Sequence, residues 1–138
     1  MKTSILRFMI PKSLVEYISD RSTVRQALEK MSFHRYTAMV VLNSKGEYVG
    51  TLRNDDIFEY FLKSGSFDKV MAEDVPITEI MNVSHTRPLL HSASLFELTE
   101  AVKEHNSVPI VDDRGCFIGI ILRREILNYL LNLLNDKQ

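Results

Sequence analysis

Residues 42–61, LNSKGEYVGTLRNDDIFEYF, return as residues 111–130, VDDRGCFIGIILRREILNYL. Gly46 aligns with Gly115, Gly50 with Gly119, Ile57 with Ile126 and Tyr60 with Tyr129, always 69 positions apart (115 − 46). Each copy reads as a turn, a strand and a helix. Asn43-Ser44-Lys45-Gly46 and Asp112-Asp113-Arg114-Gly115 have hairpin chemistry, because glycine is free to take positive φ. Self-similarity at one period marks an internal repeat.

The likeness continues upstream at an offset of 71 (94 − 23). Thr23-x-x-Gln26 matches Ser94-x-x-Glu97. Both are capping-box patterns, in which a hydroxyl and the side chain three residues on satisfy helix-start N–H groups reciprocally. Val24, Ala27, Leu28 and Met31 follow the first cap, and Leu95, Leu98 and Val102 the second. That spacing makes one apolar helical face. The change of offset implies a two-residue deletion near His105.

Each unit therefore reads β-α-β-β-α. First strands are expected at 14–18 and about 83–90, the latter weakened by Pro88, which suits an edge or an end. Buried strands follow at 38–42 and 108–111, partner strands at 48–52 and 117–122, and last helices at 56–63 and 125–134. The first repeat spans 7–64, a linker 65–76 and the second repeat 77–134. Gly65 is a C-cap, and Pro76 opens a short helix over 77–81. One unit of about 60 residues is marginal in buried surface. The expected α+β fold packs two pseudo-symmetric units sheet to sheet as a single module, 1–138.

Composition excludes several classes. The 138 residues are 45% apolar and 25% charged, with a net charge of −1. Nucleic-acid binding usually needs a basic excess, so none is expected. Cys116 is the single cysteine, which excludes an intrachain disulfide and suits a reducing, cytoplasmic setting. No signal peptide or membrane span is expected. His34, His85, His91 and His105 lack metal-ligand spacing. No nucleophile elbow, H-E-x-x-H helix or phosphate loop occurs, so neither metal, cofactor nor enzyme activity is expected.

A tandem unit of this order, with Val108-Pro109-Ile110-Val111-Asp112 before Gly115 and Met39-Val40-Val41-Leu42-Asn43 before Gly46, resembles the cystathionine beta-synthase (CBS) domain pair. The closing segments Gly50-Thr51-Leu52-Arg53-Asn54-Asp55-Asp56 and Gly119-Ile120-Ile121-Leu122-Arg123-Arg124-Glu125 carry the resemblance further. It covers about residues 7–134.

The resemblance implies an adenine nucleotide, such as AMP, ADP, ATP or cyclic di-AMP, in clefts between the repeats. Asp56 and Glu125 would hold ribose hydroxyls, since an ionised carboxylate can accept both bonds of a cis-diol. Tyr36, Thr37 and Ala38, and by position Asn106, Ser107 and Val108, would line the adenine. The sequence departs from the family pattern where a hydroxyl is replaced by Arg53 and Leu122. Arg53 could meet a phosphate through charge-assisted bonds, and Arg123 and Arg124 could supply charge to the second cleft.

A plainer reading stands beside each residue. Asp56 and Glu125 open helices, where a carboxylate stabilises free N–H groups. The arginines could be surface, and Tyr60 and Tyr129 core. The last helix has Leu127, Leu130, Leu131 and Leu134 on one stripe, with Leu133 and Tyr129 beyond it. Such breadth suits a homodimer or a protein-partner surface. The expected function is a stand-alone regulatory module signalling to an unknown protein partner. The alternative is a constitutive dimerisation or adaptor module with vestigial clefts.

Overall fold

The structure, a computed structural model, describes residues 3–65, 69–82 and 86–136. A 3-10 turn at Ile5–Phe8 precedes β1 (Ile10–Pro11), and a second at Lys12–Leu14 precedes β2 (Tyr17–Ser19). Then come α1 (Val24–His34), β3 (Ala38–Leu42), β4 (Tyr48–Arg53), α2 (Asn54–Ser64) and α3 (Lys69–Asp74). A third 3-10 turn, Ile77–Glu79, leads to β5 (Leu89–Leu90), α4 (Leu95–Glu104), β6 (Ser107–Val111), β7 (Phe117–Leu122) and α5 (Arg123–Asp136).

Two compact units result: residues 16–86, and residues 87–138 joined by the first 15. The packed units and the sequence repeats are thus not coextensive. Residues 7–15, counted with the first repeat by sequence, fold beside the second.

The unit of residues 16–86 holds a three-stranded sheet in the order β2-β3-β4. β2 runs parallel to β3, and β3 antiparallel to β4. The capping box forms as its pattern requires. Thr23 Oγ1 accepts the Gln26 N–H at 3.3 Å, and Gln26 Oε1 accepts the Thr23 N–H at 2.9 Å. Val24, Ala27 and Met31 then turn inward against Val41, Leu52 and Ile57. The span 65–76, read as a linker, contains α3, which packs on α1 and buries Ala72. The first strand is shorter than 14–18 because Lys12–Leu14 forms a 3-10 turn.

The other unit holds a four-stranded sheet in the order β1-β7-β6-β5. Ile10 pairs with Ile120 and Pro11 with Gly119 across an antiparallel edge. Pro11 is tolerated because an edge residue need not donate to the ladder. Its core gathers Ile5, Leu98, Val102, Val108, Ile110, Ile121 and Ile126. The Arg7 guanidinium lies 5.2 Å from the centroid of the Tyr129 ring, which meets Phe8 edge-on at 5.1 Å. Ser94 Oγ accepts the Glu97 N–H at 3.1 Å, which is the hydroxyl half of the second capping-box pattern. Of the strand expected at 83–90, β5 covers only Leu89–Leu90. Residues 83–85 lie outside the described residues.

The two hairpins close alike. Asn43 Oδ1 accepts the N–H groups of Lys45 and Glu47 at 2.9 and 3.0 Å. Asp112 Oδ1 does the same for Arg114 and Cys116, both at 2.9 Å. Gly46 and Gly115 follow with φ of 79° and 83°, the left-handed region that favours glycine.

Candidate functional site

Helix α2 starts where β4 stops, and Arg53 is the hinge between them. Its backbone is extended, with φ −115° and ψ 156°, which frees its N–H from the strand for a cap. Asp56, three residues on, accepts that N–H through Oδ2 at 2.9 Å. The carboxylate therefore sits at the positive end of the helix dipole. Asp56 is only 8% exposed, so its charge is held in a largely dry position.

The end of the β3–β4 hairpin brings the other predicted residues here. Ala38 pairs with Arg53, and the Thr37 carbonyl accepts the Asn54 N–H at 3.0 Å. Just upstream, Arg35 ends α1 in the left-handed region at φ 58°. The Tyr36 N–H then turns back to the Met31 carbonyl at 2.9 Å. Tyr36 is 37% exposed, and its ring stacks on His34 with centroids 5.1 Å apart and planes 13° apart. Tyr36, Thr37, Ala38, Arg53 and Asp56 thus gather within one unit.

Arg53 also reaches away from its helix. Its Nη2 donates to Thr86 Oγ1, and Thr86 is buried. Sequence reasoning did not find Thr86, which belongs to neither motif. Behind the strand end, Tyr48 Oη and Thr51 Oγ1 share a hydrogen bond of 2.6 Å. Burial pushes the Tyr48 phenol above its ordinary pKa, and the bond to Thr51 opposes that shift. A recess of about 140 Å³ opens beside Asp56, Tyr60, Lys63 and Glu79.

The pseudo-symmetric position in the other unit is built differently. Its backbone agrees: the Arg123 N–H donates to the Asn106 carbonyl at 2.8 Å, and Ser107 pairs with Leu122. Asn106 therefore corresponds to Thr37 and Ser107 to Ala38, while Val108 is buried in the core. The Arg123 side chain is engaged elsewhere. Its Nε donates to the Val102 carbonyl at 2.6 Å and its Nη2 to that of Lys103 at 3.4 Å, covering the last turn of α4. Arg124 approaches Glu125 at 3.9 Å, and both side chains are solvated. Glu125 thus lacks the burial of Asp56.

This arrangement offers an anchored carboxylate for hydroxyl donors, a guanidinium nearby, and backbone at a strand end. Among the described residues no three His, Cys, Asp or Glu side chains gather as a metal site would require. Among them, too, no helix is long and apolar enough to cross a membrane.

A family model described as CBS domain matches this chain twice, over residues 7–63 and 72–132. An uncharacterized protein of Methanopyrus kandleri is 29% identical over 79% of this chain and 54% of its own length. The chain spans about half the length of the curated relatives it matches. A crystal structure of CbpB in complex with c-di-AMP superposes with a TM-score of 0.86 at 23% identity, covering 97% of this chain and 88% of the other. CBSX2 in complex with AMP superposes with a TM-score of 0.75 at 19% identity, covering 94% and 97%. At these identities the likeness establishes the fold.

Proposed function

The chain belongs to the CBS-domain family, and from that premise we propose that it binds an adenine nucleotide beside Asp56 and signals the occupancy to a partner protein. The observation that carries this reading is the buried Asp56 carboxylate, held by the Arg53 N–H at one oxygen. A carboxylate has about four lone-pair positions, so a ribose diol can be accepted while the cap stays closed. Arg53 supplies the charge for a phosphate, and Tyr36 with the Thr37–Ala38 backbone supplies the edge for adenine. The fold is shared with CbpB and CBSX2, whose crystal structures hold c-di-AMP and AMP. The Asp56 position is preferred to Glu125, where the carboxylate is solvated and Leu122 replaces the arginine.

Thermal melting against AMP, ADP, ATP, S-adenosylmethionine and cyclic di-AMP tests the reading. A nucleotide at about 100 times its dissociation constant adds about 2.7 kcal/mol to stability. A panel that shifts nothing would overturn it. Transmission then requires that the nucleotide bind two states unequally.

One observation favours a second reading, a constitutive dimer. Leu127, Leu130, Leu131 and Leu134 of α5 are all exposed. A contiguous apolar stripe of that size marks an association surface more often than solvent-facing helix. The two readings are compatible, since a dimer is also a route by which occupancy reaches a partner.

A further inference from the structure

Asp56 caps α2 with one carboxylate oxygen and leaves the other idle. Oδ2 accepts the Arg53 N–H at 2.9 Å, and among the described residues no N–H or O–H donates to Oδ1. The residue is more than nine-tenths buried. A carboxylate held so far from water is best served by a donor at each oxygen. Asp56 lines a recess of about 140 Å³, well below the roughly 300 Å³ at which whole small-molecule ligands are enclosed, so one part of a nucleotide fits and not all of it.

Helix α2 supplies most of that recess, because Asp56, Glu59, Tyr60 and Lys63 are spaced to share one helix face. Glu79 and Ile80 complete it. They are held there by the 3-10 turn Ile77–Glu79, which buries Ile77 and donates the Ile77 N–H to the Ser22 carbonyl at 3.0 Å. Tyr60 and Ile80 are half-buried against the core, and Tyr60 meets Phe61 edge-on with ring centroids 5.4 Å apart. This pair forms the inner wall. Glu59, Lys63 and Glu79 are exposed and form the rim. Among the described residues none of the three is ion-paired. A ligand in the recess therefore faces three carboxylates and one cation.

We infer that this recess selects adenosine nucleotides whose ribose keeps both hydroxyls free and rejects those with a phosphate on O3′, with Glu59 and Glu79 as the residues that discriminate. The inference rests on the nucleotide reading and narrows its ligand class. A free diol brings two O–H donors to a site whose idle atom is an acceptor. A phosphate on O3′ removes one of those donors and adds about two negative charges, which the carboxylates repel. The single cation, Lys63, is outnumbered. A repulsive element of this kind discriminates against a competitor that shares the rest of the ligand's contacts. Arg53 does not line the recess, so its charge stands outside this balance.

Calorimetric titration of the full chain with AMP and with adenosine 3′,5′-bisphosphate tests this. AMP should bind roughly tenfold tighter or more, since close like charges at a protein surface cost that much or more. The double variant Glu59→Gln with Glu79→Gln should close most of the gap. Both side chains are exposed, so the variant should melt as the wild type does. Cyclic di-AMP, whose O3′ atoms are esterified, gives an arm that needs no variant, and it should fail to displace AMP. Equal affinity for AMP and the bisphosphate would overturn the inference and leave nucleotide binding standing. So would cyclic di-AMP binding as tightly as AMP, or a gap that the glutamine variant leaves unchanged. Binding of no adenine nucleotide at all would overturn both.

Discussion

Asp56 closes the start of α2 by accepting the Arg53 N–H at 2.9 Å, and it does so while almost fully buried. Cap and ligand therefore make separable demands on one carboxylate. Asp56→Ala removes both, and should cost about 1 kcal/mol of stability as the loss of a helix-start acceptor does. Asp56→Asn keeps a carbonyl oxygen for the cap and loses the charge. It should retain most of the stability, yet weaken AMP by tenfold or more as charge-assisted bonds to the diol are lost. Urea unfolding and calorimetric titration on the two variants separate these effects. Equal AMP affinity in the wild type and Asp56→Asn would remove Asp56 from the site.

Gly119 carries the docking of the N-terminal strand. A Cβ at this position would lie 2.4 Å from the Ile10 carbonyl oxygen and 2.7 Å from Met9 Cγ. The oxygen belongs to backbone and cannot swing aside. Gly119→Ala should therefore destabilise the chain by about 1–3 kcal/mol, in the range of overpacked sites. Hydrogen exchange should quicken first at β1 and its partners in β7. Unchanged exchange there would show that β1 does not depend on this approach.

The twin hairpins provide an internal control for pH. The Cys116 and Arg114 N–H groups hold the Asp112 carboxyl below its ordinary pKa. A depressed folded value means the turn contributes stability above the unfolded carboxyl's range, near 3.8. That contribution is lost as pH falls through the folded value. Asn43 makes the same two bonds without a titrating group. Asp112→Asn should hence fold with the same hairpin, and the gap between its stability and that of the wild type should be flat above about pH 5. Below that the wild type should lose ground. Urea midpoints from pH 2 to 7 read this directly.

Association through α5 has an equally direct test. Leu127→Glu with Leu131→Glu places two charges on the exposed stripe and leaves the buried Ile126 in place. The variant should melt as the wild type does and elute as a monomer in light scattering. A wild type that is already monomeric at 100 micromolar, well above ordinary dimer affinities, would end the dimer reading.

Most of the secondary structure was legible in the chain because its signals are local. Thr23 with Gln26 marked a helix start, Gly46 and Gly115 marked turns, and Phe117–Leu122 formed the strand read from its apolar run. The structure adds most where local signals are weak. α3 lies in a span read as a linker, because the tertiary contact of Ala72 with α1 stabilises a six-residue helix that propensity alone would not. The sequence offered Arg123 either as charge for the second cleft or as surface, and its bonds to the Val102 and Lys103 carbonyls depend on α4 ending near β7.

The sequence by itself determined that the chain is a duplication and that each copy runs β-α-β-β-α. Caps, turns and apolar periods act within a few residues, and two constant offsets repeat them. Only the tertiary structure decided that the first 15 residues pack with the second copy, since an edge pairing of Ile10 with Ile120 joins residues far apart in the chain. That the copies are chemically unequal, Arg53 and Asp56 against Leu122 and Glu125, was already written in the sequence; the structure added their difference in burial. Asp56 is buried against its own strand end, Glu125 is about half-exposed, and burial is a sum over distant neighbours that no local motif records.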